Sequence, residues 1–127
     1  MIGTVDEKGR ALLDVSISDK LDGAYTPVTT WIDTAFDGHL IFPHELIERL
    51  KLESLVETEA ILADGSKVTL DTFVCFVDWF GNRIRLQVIA NEGRFPLLGT
   101  GLLEQRVLHI DYAKRELSLD GSDERPS

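Results

Sequence analysis

The chain has 127 residues, 43% of them hydrophobic and 28% charged, a size and balance that suit one soluble globular domain around a single core. Its 13 basic and 22 acidic residues give a net charge of −9, so a phosphate backbone would meet repulsion, and no window holds a basic cluster able to overcome it. Nucleic acid is excluded as an expected partner, and so is a membrane, since no apolar run approaches the roughly 20 residues needed to cross a bilayer.

Met1 leads directly into a polar stretch with no basic-then-apolar leader, and a reducing cytoplasm is the expected compartment. Leu13, Val15 and Ile17 alternate with Asp14, Ser16 and Ser18, which predicts a strand with one buried face. A turn at Leu21-Asp22-Gly23 leads to a second strand from about Tyr25 to Ile32, rich in β-branched and aromatic residues. That strand delivers Asp33 straight into Thr34-Ala35-Phe36-Asp37-Gly38. An acid at the end of a hydrophobic strand is a carboxylate exposed on a rigid scaffold, a place for acid-base chemistry. The same residues also suit a plain strand-closing turn, and on the hexapeptide alone that reading comes first.

Leu40-Ile41-Phe42 resumes an extended apolar segment, and Pro43 ends it while fitting the first turn of a helix. Leu46, Ile47 and Leu50 form the apolar stripe of that helix, with Glu45, Glu48, Arg49 and Lys51 facing outward. Glu45 and Arg49 stand one turn apart and can pair, for a few tenths of a kcal/mol, roughly. Glu59 to Ala63 and Lys67 to Leu70 flank Asp64-Gly65-Ser66, whose Asp-Gly step favours a tight hairpin turn. The second arm continues from Val68 to Phe80, turns at Gly81-Asn82 and returns through Ile84, Leu86 and Val88. Cys75 sits in the apolar run Phe73 to Val77 and reads as a small buried hydrophobe; one cysteine permits no internal disulfide.

Leu97-Leu98-Gly99 precedes a predicted short helix over Thr100 to Gln105, capped near Thr100. Val107 to Tyr112 and Glu116 to Leu119 then flank Ala113-Lys114-Arg115, a final hairpin able to cover a sheet edge or to pair with another chain. The domain is expected to span 1–120, with a polar, flexible tail over 121–127. His39, His44 and His109 complete no metal-ligand spacing, and there is no phosphate-cradling glycine loop and no nucleophile elbow. No metal and no cofactor are expected.

The order of these features carries more than any one of them: a strand ending in Asp33-Thr34-Ala35, a short helix, an Asp-Gly hairpin, paired strands, then Leu97-Leu98-Gly99. This order resembles the retropepsin-like aspartic proteases (clan AA), which place a catalytic Asp-Thr/Ser-Gly loop, a flap hairpin and a hydrophobic-hydrophobic-Gly motif in the same sequence. Phe36, Gly38, Leu40 and Pro43 match the continuation of the small microbial Asp-Thr-Gly-Phe branch. The likeness covers about residues 10 to 112. It implies a mainly β fold, a single closed β-barrel domain with a flap hairpin and one or two short helices.

The resemblance also implies chemistry. Peptide hydrolysis by this route needs two facing carboxylates, one to take a proton from water and one to protonate the scissile amide. The chain offers one suitable loop, since Asp71-Thr72-Phe73 lies inside an alternating strand and Asp111 at an alternating surface position. A two-fold homodimer would supply the second Asp33 by symmetry, the pair sharing one proton. By the same resemblance, Thr34 would bond across the dimer, unless it serves only local turn bonding. Ala63, Asp64, Gly65 and Ser66 would form a flap over an extended peptide or unfolded protein segment, and Gly99 would permit close packing beneath the loop. Ala35 departs from the family's usual Gly, and its methyl group can displace the carboxylate or narrow the cleft. The alternative to an aspartic endopeptidase is a catalytically weak or inactive dimerisation or peptide-binding module on the same fold. A monomeric β-barrel with an unrelated ligand is a third. Trp31, Trp79 and Phe80 are read as core or edge-packing residues before substrate pockets.

Overall fold

Alternation builds the first long strand as expected: Ala11, Leu13, Val15 and Ile17 of β2 (Ala11–Ser18) are buried, while Asp14 is exposed. The computed structural model describes residues 1–61 and 63–121. In chain order the other elements are β1 (Ile2–Val5), β3 (Thr26–Ile32), β4 (Leu40–Pro43), α1 (His44–Leu50), β5 (Glu53–Ile61), β6 (Lys67–Trp79), β7 (Asn82–Asn91), β8 (Leu97–Leu98), a 3-10 turn over Thr100–Leu102, β9 (Val107–Asp111) and β10 (Glu116–Asp120).

The strands form one sheet in the order β5-β6-β7-β4-β8-β3-β2-β1-β10-β9, with a further pairing of β6 to β2. That pairing returns the order to its second strand, so β2, β6, β7, β4, β8 and β3 make a hydrogen-bonded ring. Two strands share one side of β2: β1 pairs with Ala11 and Leu12, and β6 with Ser16 to Ser18. The interior holds Leu13, Val15, Ile17, Leu40, Phe42, Val77, Val88 and Leu98, closed at the β10 side by Leu117 and Leu119. Thr30 is fully buried among them, and its hydroxyl donates to the Leu13 carbonyl at 2.7 Å, which offsets the cost of removing it from water.

Pro43 ends β4 at the cap position of α1 rather than inside its first turn, with φ −58° and ψ 146°. Leu46 and Ile47 bury the helix's inner face. The Lys51 N–H closes the helix on Glu48 O in the left-handed conformation. No ion pair forms between Glu45 and Arg49 among the described residues. The Arg83 guanidinium bonds the carbonyls of Lys20, Leu21 and Gly23 and lies 4.2 Å from the Tyr25 ring, pinning the predicted turn.

The structure departs from the sequence expectation elsewhere too. β1 was not expected, because four residues that include Gly3 and Thr4 carry too little pattern; it forms because β10 and β2 offer it two edges. The predicted helix over Thr100–Gln105 contracts to one 3-10 turn with no side-chain cap, since Thr100 is drawn to Phe36 instead. β5 begins at Glu53, ahead of the expected Glu59, and the β6–β7 turn lies at Phe80-Gly81, with Asn82 already paired to Trp79. Of the tail expected at 121–127, residues 122–127 lie outside the described residues. Cys75 is fully buried, as expected. Among the described residues no helix is long and apolar enough to cross a membrane.

Candidate active site

Asp33 leaves the end of β3 at the point where β3 meets β8 in parallel, Trp31 opposite Leu97 and Ile32 opposite Leu98. Its N–H continues that ladder, donating to Leu98 O at 2.9 Å. The carboxylate turns back on its own loop, its Oδ1 accepting the Ala35 N–H at 3.0 Å, while the Asp33 backbone carbonyl accepts the Phe36 N–H at 3.2 Å. The side chain is thus held by one backbone N–H and the residue's own backbone on both sides, while Asp33 stays half-buried and Thr34 and Ala35 are exposed. Ala35 does not have a positive φ. Nothing in the turn's backbone conformation requires glycine there.

The loop is braced from below by the segment after β8. Gly99 N–H donates to His39 O at 2.8 Å, Thr100 N–H to Phe36 O at 2.8 Å and Gly101 N–H to Gly38 O at 2.9 Å, and the Thr100 hydroxyl adds a bond to Phe36 O at 3.2 Å. Such a cross-brace needs backbones in contact. A Cβ on Gly99 would lie 2.4 Å from Gly38 O, and one on Gly101 2.8 Å from the same atom. The packing role expected of Gly99 therefore has a direct geometric basis. Gly101 escaped the sequence reading, although the Gly99-Thr100-Gly101 spacing held the signal.

The expected flap residues Ala63, Asp64, Gly65 and Ser66 form an exposed turn joining β5 to β6. Gly65 takes φ +86° at its tip, a conformation that favours glycine. The Ser66 hydroxyl and then its N–H bond Asp64 Oδ1, at 2.6 and 2.9 Å, and hold that carboxyl below its usual range. Asp71 is exposed inside β6, and Asp111 Oδ1 accepts the Ala113 and Lys114 N–H groups at the final hairpin; neither joins Asp33. The histidines do not converge, and among the described residues no group of three or more His, Cys, Asp or Glu could hold a metal.

A second cluster that the sequence did not reveal surrounds Trp31. Its ring is 39% exposed and meets Phe95 edge-on at 6.2 Å. The Arg10 guanidinium lies 5.7 Å from Trp31 and 4.6 Å from Phe95, with its Nε 2.6 Å from Asp6 Oδ2. Trp79, by contrast, is buried, as read. Clefts of about 560 and 540 Å³ open around Arg49 and Arg94, and Asp33 lines neither.

Solved proteins share this overall shape. A retropepsin-like aspartic protease from Rickettsia conorii superposes with a TM-score of 0.68 at 17% identity, over 95% of this chain and 89% of that one. The fold is retropepsin-like. EIAV protease, solved with the inhibitor HBY-793, matches at TM-score 0.54 and 19% identity, over 80% of this chain and 91% of that one. No protein-family model matches the sequence, and no curated protein matches it. The retropepsin-like likeness is thus one of structure, and it agrees with the mainly β architecture expected from motif order.

Proposed function

We propose that this chain is an aspartic endopeptidase that acts as a two-fold homodimer, with Asp33 from each copy forming one catalytic pair. The observation that carries the reading is the Asp33 loop itself: an acid fixed by the Leu98 carbonyl and the Ala35 N–H, half-buried, on a turn whose Thr34 and Ala35 are open to solvent. The retropepsin-like fold supports it.

One carboxylate cannot be both base and acid in the same step. Brought face to face by symmetry, two Asp33 groups share a proton, because close like charges do not both ionise cheaply. The ionised member takes a proton from a water held between them, and that water attacks the scissile carbonyl carbon. The protonated member stabilises the oxygen and then returns a proton to the leaving amine. Thr34, exposed at the loop's outer side, is available to bond its counterpart. The turn Ala63 to Ser66 closes over an extended peptide, offering backbone groups along its length. Gly99 and Gly101 hold the loop from beneath and touch no substrate.

The test is cleavage of a diverse peptide mixture, from acidic to neutral pH, by the parent chain and Asp33→Asn, with new termini identified by mass spectrometry. Cleavage by the parent alone is the expected result. If both chains are folded and dimeric yet leave every peptide intact, the endopeptidase reading is wrong and a peptide-binding module replaces it.

A further inference from the structure

Three arginines of this chain are engaged: Arg10 pairs with Asp6, Arg83 binds the carbonyls of Lys20, Leu21 and Gly23, and Arg106 lies 4.0 Å from the Phe80 ring. Arg49 and Arg94 differ. Both are exposed, and among the described residues neither guanidinium has a hydrogen-bond, ion-pair or ring partner. Carboxylates close in sequence are left unused. Among the described residues Glu45, one helical turn before Arg49, forms no ion pair, and Glu92, two residues before Arg94, stands 3.8 Å from His44 instead.

What sets these two arginines apart is their place. The clefts of about 560 and 540 Å³ have Leu46, Arg49, Arg94 and Pro96 in common, so they adjoin along a wall that carries both cations. α1 supplies Arg49, and the segment between β7 and β8 supplies Arg94. The larger cleft is lined by apolar side chains from separate elements, Ile17 of β2, Val28 of β3, Leu50 of α1 and Phe95 ahead of β8, and its charged residues are the two arginines and Asp19. A cavity of about 300–1,000 Å³ with apolar walls and a few placed polar groups is the form that small-molecule sites take. The smaller cleft sets His44, Glu45 and Glu92 beside the same arginines.

We infer that these clefts bind a small amphipathic carboxylate, its head group held by Arg49 and Arg94 and its apolar tail laid in the larger cleft. A guanidinium presents a planar fork of donors that matches the two oxygens of a carboxylate, and here two such forks stand without a partner. The apolar walls supply what a tail requires, since affinity grows with the apolar surface taken from water. The surrounding charge limits the head group. Asp19, Glu45 and Glu92 border the arginines and the chain carries −9 overall, so one negative charge is matched while a polyanion is repelled. Asp33 lines neither cleft, and the site is independent of the proposed peptidase activity.

Octanoate is the probe, titrated into the full chain at neutral pH while backbone amide resonances are followed. The expected result is a saturable set of shifts centred on Leu46, Leu50, Arg94 and Phe95. Butanoate keeps the head group and shortens the tail by four carbons, and it should bind at least about tenfold more weakly. Octanamide keeps the tail without the charge and should lose at least about fivefold. Arg49→Gln and Arg94→Gln, both at exposed positions, should each raise the octanoate dissociation constant at least about fivefold with their spectra otherwise unchanged. Arg85→Gln, at an exposed arginine outside both clefts, removes the same charge and should leave the constant as it is. Shifts that never saturate, or equal binding by the parent, Arg49→Gln and Arg94→Gln, overturn the inference. Octanamide bound as tightly as octanoate also overturns it, since the arginines then select nothing. Shifts centred on Asp33 and Trp31 instead would assign the ligand to the candidate active site and strike the separate one.

Discussion

A methyl group on Gly99 would lie 2.4 Å from the Gly38 carbonyl oxygen and 2.4 Å from Phe36 Cδ2, so the segment after β8 supports the Asp33 loop by direct backbone contact. Gly99→Ala must push the loop away or distort its own strand. Overpacking of this kind costs about 1–3 kcal/mol, measurable by denaturant unfolding. Displacing a reacting group by about 1 Å can cost about a hundredfold in rate, so kcat on a cleaved peptide should fall by about that factor while KM changes little. Unchanged stability and kcat would show that the loop yields freely.

Ala35 predicts the opposite behaviour. It is exposed and lacks a positive φ, so Ala35→Gly gains no relief of strain within the chain and adds freedom to the unfolded state. Stability should drop by about 0.4–1 kcal/mol, with kcat/KM on the same peptide within about threefold of the parent, since the Ala35 N–H to Asp33 Oδ1 bond does not depend on the side chain. A rise well beyond that would mean the methyl group obstructs the partner's loop or the substrate.

Motif order and alternation made most of this fold legible. The buried positions Leu13, Val15 and Ile17, the α1 stripe, the Asp-Gly hairpin and the Asp33 turn follow from local pattern, and the structure keeps them. What escaped was tertiary. β1 is too short to show a period and exists because two strands flank it. The Thr100 turn stops early, with Gln105 in the left-handed conformation at φ 60°. Gly101 and the Arg10–Phe95 contacts join residues far apart in sequence, and no window of the chain displays them together.

Trp31 belongs to that hidden part. It precedes Asp33 by two residues on β3, where side chains alternate between faces, and its exposed ring is held by Phe95 and by an Arg10 that Asp6 anchors. Trp31→Ala should remove an aromatic pair worth about 0.5–1.5 kcal/mol and leave the fold intact. On the proposed function it should also change which residues flank the cleaved bonds, read as altered frequencies among new termini. An identical cleavage profile would assign the ring to packing alone.

Cys75 gives a prediction independent of any activity. Burial among apolar side chains pushes its thiol up to about 12 from an ordinary value of 9.0. Below pH 9 the folded and unfolded chains both hold the proton, and the group adds no pH dependence. Above pH 9 the unfolded chain releases it while the folded chain keeps it, so stability falls across pH 9 to about 12, by up to about 1.4 kcal/mol per pH unit. Cys75→Ala, though less stable at every pH for the cavity it leaves, should decline less steeply over that window in denaturant unfolding. A thiol reagent at neutral pH should leave the native parent unmodified and react at once when the chain is unfolded. Equal alkaline slopes in the two chains, or rapid modification of the native protein, would mean that the interior around β6 opens to water.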